Sequence, residues 1–506
     1  MFTLPDFARL NRSRFPDDLA VTDSGQEMTY AELIDRAWAL ADGLHRAGVL
    51  PGDTVGVLAD NSCFFAEVYL GIACAGAIPV LYNWRWAVPE LAFALTDSRA
   101  KIVIVDTHHD QLLADTVASD SQFESIAVIR AGQEYERFTG DAHEPTYQST
   151  DDDINVIIYT SGTTGFPKGV MLSHSQAMTN ALNMIVDLNV RRGDRSLLIT
   201  PMFHTAALLC WFLPHFVVGG ASITTPSFDE DETGELIEKY SVTNAFLTPT
   251  MVRRLIAHNV FTRYAMESFT KLYVGGAVFR LPDKQAIKKI LPDVDIYHQY
   301  GLTEGAGILT RLLPHEILDE NTDGSIGREF LLCEISVRDP YSHVEVPSGE
   351  VGELWLRGPG VMTGYYGNPQ ATAEAKHEDW LRTGDLVSKD ANGYFYMHDR
   401  LKDMIKSGGE NVYSAEVERI LYAHPAILEA AVIGVPSDEW DEEVCAVIAL
   451  KPGIEATVEE IKLFCRGHLA GYKIPKRIKI VTREQLPIND IGKLMKKELR
   501  DRKIFQ

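Results

Sequence analysis

Residues 154–169 read INVIIYTSGTTGFPKG, an apolar run followed by a loop of glycines, hydroxyl side chains and one lysine. An apolar run that ends in turn residues predicts a buried strand. Glycines let backbone N–H groups turn inward, and the hydroxyls and the ammonium group of Lys168 add donors, so the loop suits an oligophosphate. Its pattern, GxxGxxKG from Gly162 to Gly169, is not the GxxxxGK[ST] of a Walker loop.

The chain before this loop alternates between helix-like and strand-like segments. Thr29 and Glu32 form a capping-box pattern ahead of AELIDRAWALADGLHRAG, in which the apolar side chains recur on one face. DTVGVLAD, IPVLY and KIVIVD resemble strands, and helix-like segments separate them. This alternation predicts right-handed β-α-β units and a parallel sheet, and therefore an α/β fold.

The character of the sequence changes at residues 399–421, DRLKDMIKSGGENVYSAEVERIL. A charged segment and paired glycines precede a helix for which Ser414 is the predicted N-cap. The short apolar runs AAVIGV, CAVIAL and IKIV follow, and they are enough for a small domain of about 100 residues. We therefore predict a large N-terminal domain of layered mixed sheets and helices, residues 1–400, and a small α+β C-terminal domain, residues 401–506.

Length and composition agree with two domains and exclude several classes of protein. A chain of 506 residues exceeds the size at which a single core stops growing. The net charge of −23 disfavours nonspecific binding to nucleic acid or anionic membranes. Six cysteines without a CxxC pair favour reduced thiols in a cytoplasmic protein. The start of the chain lacks the pattern of a secretory signal. The apolar window at residues 206–221 is too short to span a bilayer, so it is predicted to be core.

Five more motifs accompany the loop. They are PMFHTAAL from Pro201, YVGGAVF from Tyr273, YHQYGLTEG from Tyr297, WLRTGD from Trp380 and PINDIGK from Pro487. With TSGTTGFPKG and residues 399–411, they resemble the adenylate-forming superfamily of acyl-CoA synthetases, peptide-synthetase adenylation domains and luciferases. The order and spacing resemble those of stand-alone fatty-acid and 4-coumarate or feruloyl CoA ligases. The resemblance implies that a carboxylate attacks ATP, pyrophosphate leaves, and the acyl group passes to the thiol of coenzyme A.

The resemblance also implies roles for the residues of the nucleotide site. Carboxylate attack on a phosphate brings two anions together, so cations and N–H donors are needed around both. Lys168 would bind the leaving phosphates, Tyr300 would stack on adenine and Thr303 would touch the α-phosphate, while Thr160 and Glu304 would hold Mg²⁺. The implied cofactor-binding residues are Thr160, Ser161, Gly162, Thr163, Thr164, Gly165, Gly275, Gly276, Ala277, Gln299, Tyr300, Gly301, Thr303, Asp385, Arg400, Gly408 and Gly409.

The C-terminal motifs imply a mobile small domain. Asp385 is similar to the carboxylate that accepts both ribose hydroxyls, and Arg400 would contact the same nucleotide. Lys493 is similar to the essential catalytic lysine that bridges the carboxylate and the α-phosphate. In this superfamily the small domain rotates about one residue, which is Lys402 here. Gly408 and Gly409 would then let pantetheine pass close to the backbone in the thiol-transfer state.

The motifs restrict the acid. By resemblance, His204 would lie between the acyl pocket and the thiol entry, and PMFHTAALL lacks the aspartate typical of amino-acid substrates. The predicted lining pieces HTAALLCW, VGGAVF and GLTEGAG contain no arginine or lysine, which favours a monocarboxylic acid. Leu208 stands where some long-chain members carry a tryptophan, with Trp211 further on, which weakens a long-chain assignment. A medium-to-long fatty acid and an aryl or cinnamic acid both stay open.

The acceptor and the assembly are less constrained. Lys473, Lys476 and Arg477 form a local basic cluster suited to the phosphates of free CoA. The alternatives are a ligase that loads a carrier protein, a non-catalytic nucleotide-binding homologue and a phosphotransferase. A homodimer is left open as the form of assembly.

Overall fold

The computed structural model describes residues 2–160, 167–407, 410–437, 439–466, 468–488 and 494–505. The chain forms two compact units. The first contains residues 1–323, 327–334 and 356–381, and the second contains residues 324–326, 335–355 and 382–506. Helices and mixed sheets build a large N-terminal part and a smaller C-terminal part, which confirms the predicted α/β class. The predicted boundary between residues 400 and 401 stays a prediction.

The secondary structure covers most of the described chain. The helices are α1 Leu4–Arg14, α2 Tyr30–Arg46, α3 Cys63–Cys74, α4 Val88–Ser98, α5 Asp110–Ala118, α6 Gln133–Phe138, α7 His174–Asp187, α8 Leu213–Val218, α9 Glu230–Tyr240, α10 Pro249–Ala257, α11 Val260–Arg263, α12 Leu281–Ile290, α13 Pro369–Ala375, α14 Ser414–Ala423, α15 Val458–Arg466 and α16 Lys496–Asp501.

The strands are β1 Leu19–Thr22, β2 Glu27–Thr29, β3 Thr54–Leu58, β4 Ile78–Leu81, β5 Ile102–Val105, β6 Ala127–Arg130, β7 Ile154–Thr160, β8 Lys168–Ser173, β9 Arg195–Leu198, β10 Ala221–Thr224, β11 Asn244–Leu247, β12 Lys271–Gly275, β13 Asp295–Leu302, β14 Gly307–Leu312, β15 Ser325–Glu329, β16 Glu334–Arg338, β17 Val351–Arg357, β18 Gly364–Tyr365, β19 Lys376–His377, β20 Trp380–Lys389, β21 Phe395–Arg400, β22 Ile405–Ser407, β23 Glu410–Val412, β24 Ile427–Ser437, β25 Asp441–Leu450 and β26 Arg477–Val481.

Two sheets organise the first unit. One has the order β18-β8-β7-β4-β3-β5-β6, and its central strands β7, β4, β3, β5 and β6 pair in parallel, as the β-α-β pattern predicted. The other runs β14-β13-β12-β11-β9-β10-β1-β2 and is parallel from β13 to β1. The carboxyl ends of the parallel strands in each sheet meet at one edge, and such edges carry ligand sites in open α/β sheets.

Local signals explain where several elements begin. The capping box ahead of α2 is confirmed, because the Thr29 hydroxyl accepts from Glu32 N and the Glu32 carboxylate accepts from Thr29 N at 2.8 Å. The predicted apolar face of α2 is buried at Leu33, Leu40 and Leu44. β7 is the strand that INVIIY predicted, and it pairs with the antiparallel strand β8, which begins at Lys168.

The apolar window that follows residue 205 forms core, as predicted. It begins with a π-helical segment, Ala206–Phe212, and continues directly into α8. Trp211 is fully buried, and its ring lies 4.3 Å from that of Tyr273 on β12 and 5.6 Å from that of Phe246 on β11. The π-helical segment therefore packs on one face of the second sheet.

The second unit contains a layer of strands and a small α+β body. β16, β17, β20 and β21 are neighbours in that order, and β22 to β26 form a five-stranded sheet with α14 packed on β24. The apolar runs AAVIGV, CAVIAL and IKIV form strands here. The prediction for Ser414 was wrong, because α14 begins at Ser414 and its N-cap is Tyr413. The Ser414 hydroxyl instead donates to Asp399 Oδ2 at 2.6 Å.

Among the described residues, no helix is long and apolar enough to cross a membrane. All six cysteines are free thiols, and every one except Cys333 is buried.

A buried histidine makes the stability of the first unit depend on pH. His174 Nδ1 accepts from Asn155 Nδ2 at 3.1 Å, and burial lowers the pKa of His174 from 6.5 to about 4. The unfolded chain binds a proton at this group below pH 6.5 and the folded chain does not, so stability is lost as the pH falls from 6.5 towards 4. We expect this group to lower the free energy of unfolding by about 2 kcal/mol between pH 7 and pH 5.

Urea unfolding at pH 7, 6 and 5 measures this effect. His174→Gln is expected to flatten the pH dependence, whereas His143→Gln, at an exposed site, is expected to leave it unchanged. Equal pH slopes in the wild type and His174→Gln would contradict the assignment.

Candidate functional site

Glu304 is the centre of a polar cluster in the first unit. It follows β13 on the short 3₁₀ turn Thr303–Gly305. Its Oε1 accepts from the hydroxyl of Tyr365 at 3.0 Å and from the hydroxyl of Thr160 at 3.5 Å. Thr160 is the last residue of β7, so the end of this strand and the turn after β13 converge on one carboxylate.

Lys168 belongs to the same cluster. It is the first residue of β8, and its Nζ lies 4.9 Å from the ring centroid of Tyr365, within the range of a cation–π contact. Strand β18 pairs with β8 at Tyr365 and Val170, which fixes this geometry. The structure thus brings together Thr160, Lys168 and Glu304, which the sequence assigned to the phosphates and Mg²⁺.

Tyr365 is a member of this cluster that the sequence analysis missed. Burial, reinforced by the charge of Glu304, raises the pKa of Tyr365 well above its ordinary value, so its hydroxyl stays a donor. In the sequence, Tyr365 is marked only by the aromatic pair in TGYYGN, a stretch whose composition is typical of an ordinary turn. Its contact with Glu304 joins residues 61 positions apart, and local patterns cannot show such a contact.

The donor set fits a hard cation. Carboxylate and hydroxyl oxygens are the ligands that Mg²⁺ prefers, and Glu304 and Thr160 present one of each at 3.5 Å. The ammonium group of Lys168 lies over the face of Tyr365, whose hydroxyl reaches Glu304. The cluster therefore offers oxygen ligands and a separate positive charge, as a metal-bound oligophosphate requires.

The glycine-rich motif and the YHQYGLTEG motif lie side by side. Gly275 at the end of β12 is the parallel partner of Gln299 on β13, and Gly276 has a φ of +80°, which favours glycine. Gly301 faces the carbonyl of Gly307 so closely that a Cβ would lie 2.0 Å from its oxygen. Ala277 accepts at its carbonyl oxygen from His298 Nε2 at 3.2 Å.

Tyr300 and Thr303 lie on the same carboxyl edge of the sheet. Tyr300 is the residue of β13 between Gln299 and Gly301, and its side chain is partly exposed. The hydroxyl of Thr303 accepts from that of Thr205 at 3.0 Å. This contact connects the turn that carries Glu304 with the start of the π-helical segment.

His204 precedes the π-helical segment, and its ring packs against Phe203 with centroids 4.4 Å apart. Burial, and then the charge of Arg85, lowers the pKa of His204 to about 4. Its imidazole is therefore neutral at pH 7. Arg85 lies outside the sequence pieces that were predicted to line the acyl pocket. The surroundings of His204 therefore include a positive charge that the motifs did not indicate.

The two residues predicted to bind the ribose meet in the second unit. Asp385 on β20 and Arg400 on β21 are direct antiparallel partners, and Arg400 Nε lies 3.3 Å from Asp385 Oδ1. Asp385 is 5% exposed and follows Gly384, whose φ is +70°. Gly384 N donates to Glu353 Oε1 at 3.1 Å, which holds the turn before the carboxylate. Lys402, the predicted hinge, is exposed two residues after β21.

The predicted CoA-binding cations are engaged within the second unit. Lys473 Nζ lies 2.7 Å from Glu416 Oε2, Arg477 pairs with Glu443, and Lys476 lies over the Trp440 ring at 5.1 Å. Two of the three positive charges are thus neutralised, which weakens the electrostatic case for this cluster as a phosphate site.

Eight of the predicted site residues lie outside the described residues. They are Ser161, Gly162, Thr163, Thr164, Gly165, Gly408, Gly409 and Lys493.

Comparisons with known proteins cover nearly the whole chain. A family model described as "AMP-binding enzyme" matches residues 9–366, and one described as "AMP-binding enzyme C-terminal domain" matches residues 416–493. Among curated proteins, a feruloyl-CoA synthase of Amycolatopsis sp is 38% identical, with 96% of each chain covered. The long-chain-fatty-acid–CoA ligase FadD13 of Mycobacterium tuberculosis is 35% identical over 94% of this chain and 93% of its own.

A solved structure shows the same fold. The O-succinylbenzoate coenzyme A synthetase of Bacillus subtilis, in complex with ATP and magnesium ion, superposes with a TM-score of 0.87 at 28% identity. The match covers 98% of this chain and 99% of that one.

Proposed function

The chain belongs to the AMP-binding enzyme family and is an AMP-forming acid–thiol ligase, and from this premise we propose its substrates. We propose that it activates a hydrophobic monocarboxylic acid with ATP and Mg²⁺ and transfers the acyl group to coenzyme A. The acid is a medium-to-long fatty acid or an aryl or cinnamic acid, and the relatives named as a feruloyl-CoA synthase and a long-chain-fatty-acid–CoA ligase support these two alternatives. A cytoplasmic location and a role in fatty acid metabolism belong to this proposal.

One observation carries the proposal. Thr160, Lys168, Glu304 and Tyr365 come from three separate parts of the chain and form one cluster of oxygen ligands and a cation. An ordinary structural ion pair would place the lysine against the carboxylate. Here the lysine instead contacts the aromatic face of Tyr365, and Glu304 receives hydroxyl donors. This arrangement supports binding of a metal–phosphate group.

In the first half-reaction, these residues would orient the triphosphate. Lys168 would bind the phosphates that leave as pyrophosphate, and Thr303 would donate to the α-phosphate. Glu304 and Thr160 would hold Mg²⁺, which would neutralise phosphate charge when bound. The acid's carboxylate forms a bond to the α-phosphorus, and the bond from that phosphorus to the pyrophosphate oxygen breaks. Lys493 would stabilise the two approaching anions.

The nucleoside would be bound by the remaining motif residues. Asp385 would accept both ribose hydroxyls, a role that suits a buried carboxylate in an ordered turn. Arg400, already beside Asp385, would contact the same nucleotide. Tyr300 would stack on adenine, with the backbone of Gly275, Gly276 and Ala277 nearby.

In the second half-reaction, the thiol of coenzyme A would attack the acyl carbonyl and AMP would leave. The neutral ring of His204 would border the acyl group, so it would add no charge of its own to the carboxylate region. We propose that residues 401–506 rotate about Lys402 between the half-reactions and that Gly408 and Gly409 line the pantetheine path. The mobile small domain predicted from the sequence is part of this proposal.

Pyrophosphate release from ATP and Mg²⁺ tests the proposal. The acids are acetate, octanoate, palmitate, benzoate, cinnamate and ferulate, each with and without CoA, and acyl-CoA is measured in parallel. Stoichiometric acyl-CoA, AMP and pyrophosphate with one hydrophobic class would support the proposal. Release of ADP and phosphate would indicate a phosphotransferase.

Two further outcomes would overturn parts of the proposal. Thioester formation only with a phosphopantetheinyl carrier protein would replace CoA as the acceptor. ATP binding without turnover on any acid would favour a non-catalytic homologue.

A further inference from the structure

The side chain of Gln299 has an unusual environment. Gln299 is 2% exposed, and both its Oε1 and its Nε2 are buried without a hydrogen-bond partner among the described residues. A primary amide carries two donors and an acceptor, and buried groups of this kind are nearly always satisfied by protein, water or ligand. The sequence motif implied that Gln299 binds the nucleotide, but the surroundings of its side chain point to a different partner.

Gln299 lies on the aromatic face of the second sheet. It is two residues after Tyr297 on β13, so both side chains project from the same face. Tyr297 packs against Tyr273 with centroids 5.0 Å apart. On the neighbouring strand, the partner of Gln299 is Gly275, and the ring of Phe246 lies so close to Gly275 that a Cβ there would meet Phe246 Cε2 at 2.9 Å. Gln299 therefore lies beside a glycine over which the Phe246 ring packs, next to further aromatic rings.

The π-helical segment covers this face. Trp211 stacks on Phe246 and packs on Tyr273, and its own Nε1 is buried with no hydrogen-bond partner in the part of the chain that the structure describes. The segment starts two residues after His204. The face of the sheet that carries Gln299 is thus covered by the π-helical segment, which begins within the PMFHTAAL motif.

On the other neighbouring strand, β14, the residue next to Gln299 is Arg311, whose positive charge is balanced by Asp187. Arg311 is the direct antiparallel partner of Gln299. The Arg311 guanidinium lies 3.4 Å from Asp187 Oδ2 and donates to the carbonyl of Arg328 at 3.1 Å. The pair with Asp187 leaves little net charge for a second carboxylate, so a neutral polar group is the better partner for the amide.

We propose that Gln299 is a specificity-determining residue that hydrogen-bonds a neutral oxygen substituent, a hydroxyl or an ether, on an aromatic acyl group. This inference rests on the proposed function and narrows its substrate class to hydroxylated or alkoxylated aryl and cinnamic acids. A plain alkyl chain would leave the buried amide unpaired, and a site built to pair a substrate hydroxyl discriminates strongly against analogues that lack it. Aromatic walls also favour a ring.

The test compares acids that differ by one hydroxyl. The ratio kcat/KM is measured for 3- and 4-hydroxycinnamate, cinnamate and decanoate, with the full chain, ATP, Mg²⁺ and CoA. The wild type is expected to prefer the better hydroxycinnamate over cinnamate by at least about tenfold. Gln299→Leu, which keeps the approximate volume and removes the polar atoms, is expected to lower the ratio of kcat/KM for that hydroxycinnamate to kcat/KM for cinnamate by at least about tenfold.

Matched variants keep the result interpretable. Ser196→Ala removes a buried hydroxyl from β9 of the same sheet, which also has no hydrogen-bond partner within the described ranges, and is expected to leave the hydroxycinnamate-to-cinnamate ratio unchanged. If Gln299→Leu does not fold, Gln299→Asn keeps the amide one methylene shorter and is expected to reduce the same ratio. An unchanged ratio in Gln299→Leu or, if that variant does not fold, in Gln299→Asn would mean that the amide binds water, and it would overturn the inference.

The wild type alone separates this inference from the proposed function. Acyl-CoA formation with no preference for the hydroxylated acid, or with decanoate preferred, overturns only the role of Gln299. Failure to form acyl-CoA from every acid overturns both.

Discussion

Lys493→Ala is expected to lower acyl-adenylate formation by about 10²- to 10³-fold, since the role proposed for Lys493 is to stabilise the carboxylate and the α-phosphate as these two anions approach. Conversion of supplied acyl-adenylate and CoA into acyl-CoA is expected to stay within a few-fold of the wild type. Pyrophosphate release measures the first half-reaction, and AMP release from acyl-adenylate measures the second. This expectation rests on the PINDIGK motif and on the proposal that Lys493 acts in the first half-reaction and not in the second.

Lys497→Ala is the matched control for this variant. It removes the same charge four residues further on, within α16, and is expected to leave both half-reactions near wild-type rates. Equal losses of the two half-reactions in Lys493→Ala would show that the lysine is structural or serves both steps.

Glu304→Gln is expected to lower the turnover rate by about 10²-fold and to raise the Mg²⁺ concentration needed for half-maximal rate. The amide keeps the size of the side chain and an acceptor oxygen for Tyr365 but loses the negative charge that binds a hard cation. Initial rates over a Mg²⁺ titration at saturating ATP measure both effects.

Tyr365→Phe separates charge from positioning. It keeps the Glu304 carboxylate and the ring under Lys168 and removes only the hydroxyl donor at 3.0 Å. We expect a smaller loss, of about five- to thirtyfold, because one hydrogen bond to a retained carboxylate is worth roughly 1–2 kcal/mol. Glu374→Gln, at an exposed position on α13, is the control for carboxylate removal. A normal Mg²⁺ dependence in Glu304→Gln would exclude Glu304 as a metal ligand.

Elements with strong local signals were predictable from the sequence. The capping box of Thr29 and Glu32 involves groups three residues apart, so the helix start followed directly from the pattern. The parallel strands of the first sheet followed from the alternation of helix-like and strand-like segments. Ser414 shows the limit of this reasoning. It has the chemistry of an N-cap, but its hydroxyl is used by Asp399, fifteen residues earlier.

The candidate site likewise contains residues that the sequence indicated and residues that it did not. Thr160, Lys168 and Glu304 were identifiable because each lies in a dense motif, and the structure brings them together. Tyr365 was not identifiable, because its contacts with Glu304 and Lys168 depend on the pairing of two distant strands. The orphaned amide of Gln299 was equally hidden, since a sequence shows that a residue is polar but not whether its partners are present.

The π-helical segment after His204 also sets a helical phase. Seven residues separate His204 from Trp211, which is close to two turns of an α-helix, so α-helical winding would return both to the same side. A π-helix contains more residues per turn and so rotates less per residue. Trp211 therefore does not return to the side of His204, and its ring faces Tyr273 and Phe246. Gain or loss of a single residue in Ala206–Phe212 would therefore exchange which side chain faces the sheet, and so remodel the surface beside Gln299 without any substitution in the sheet itself.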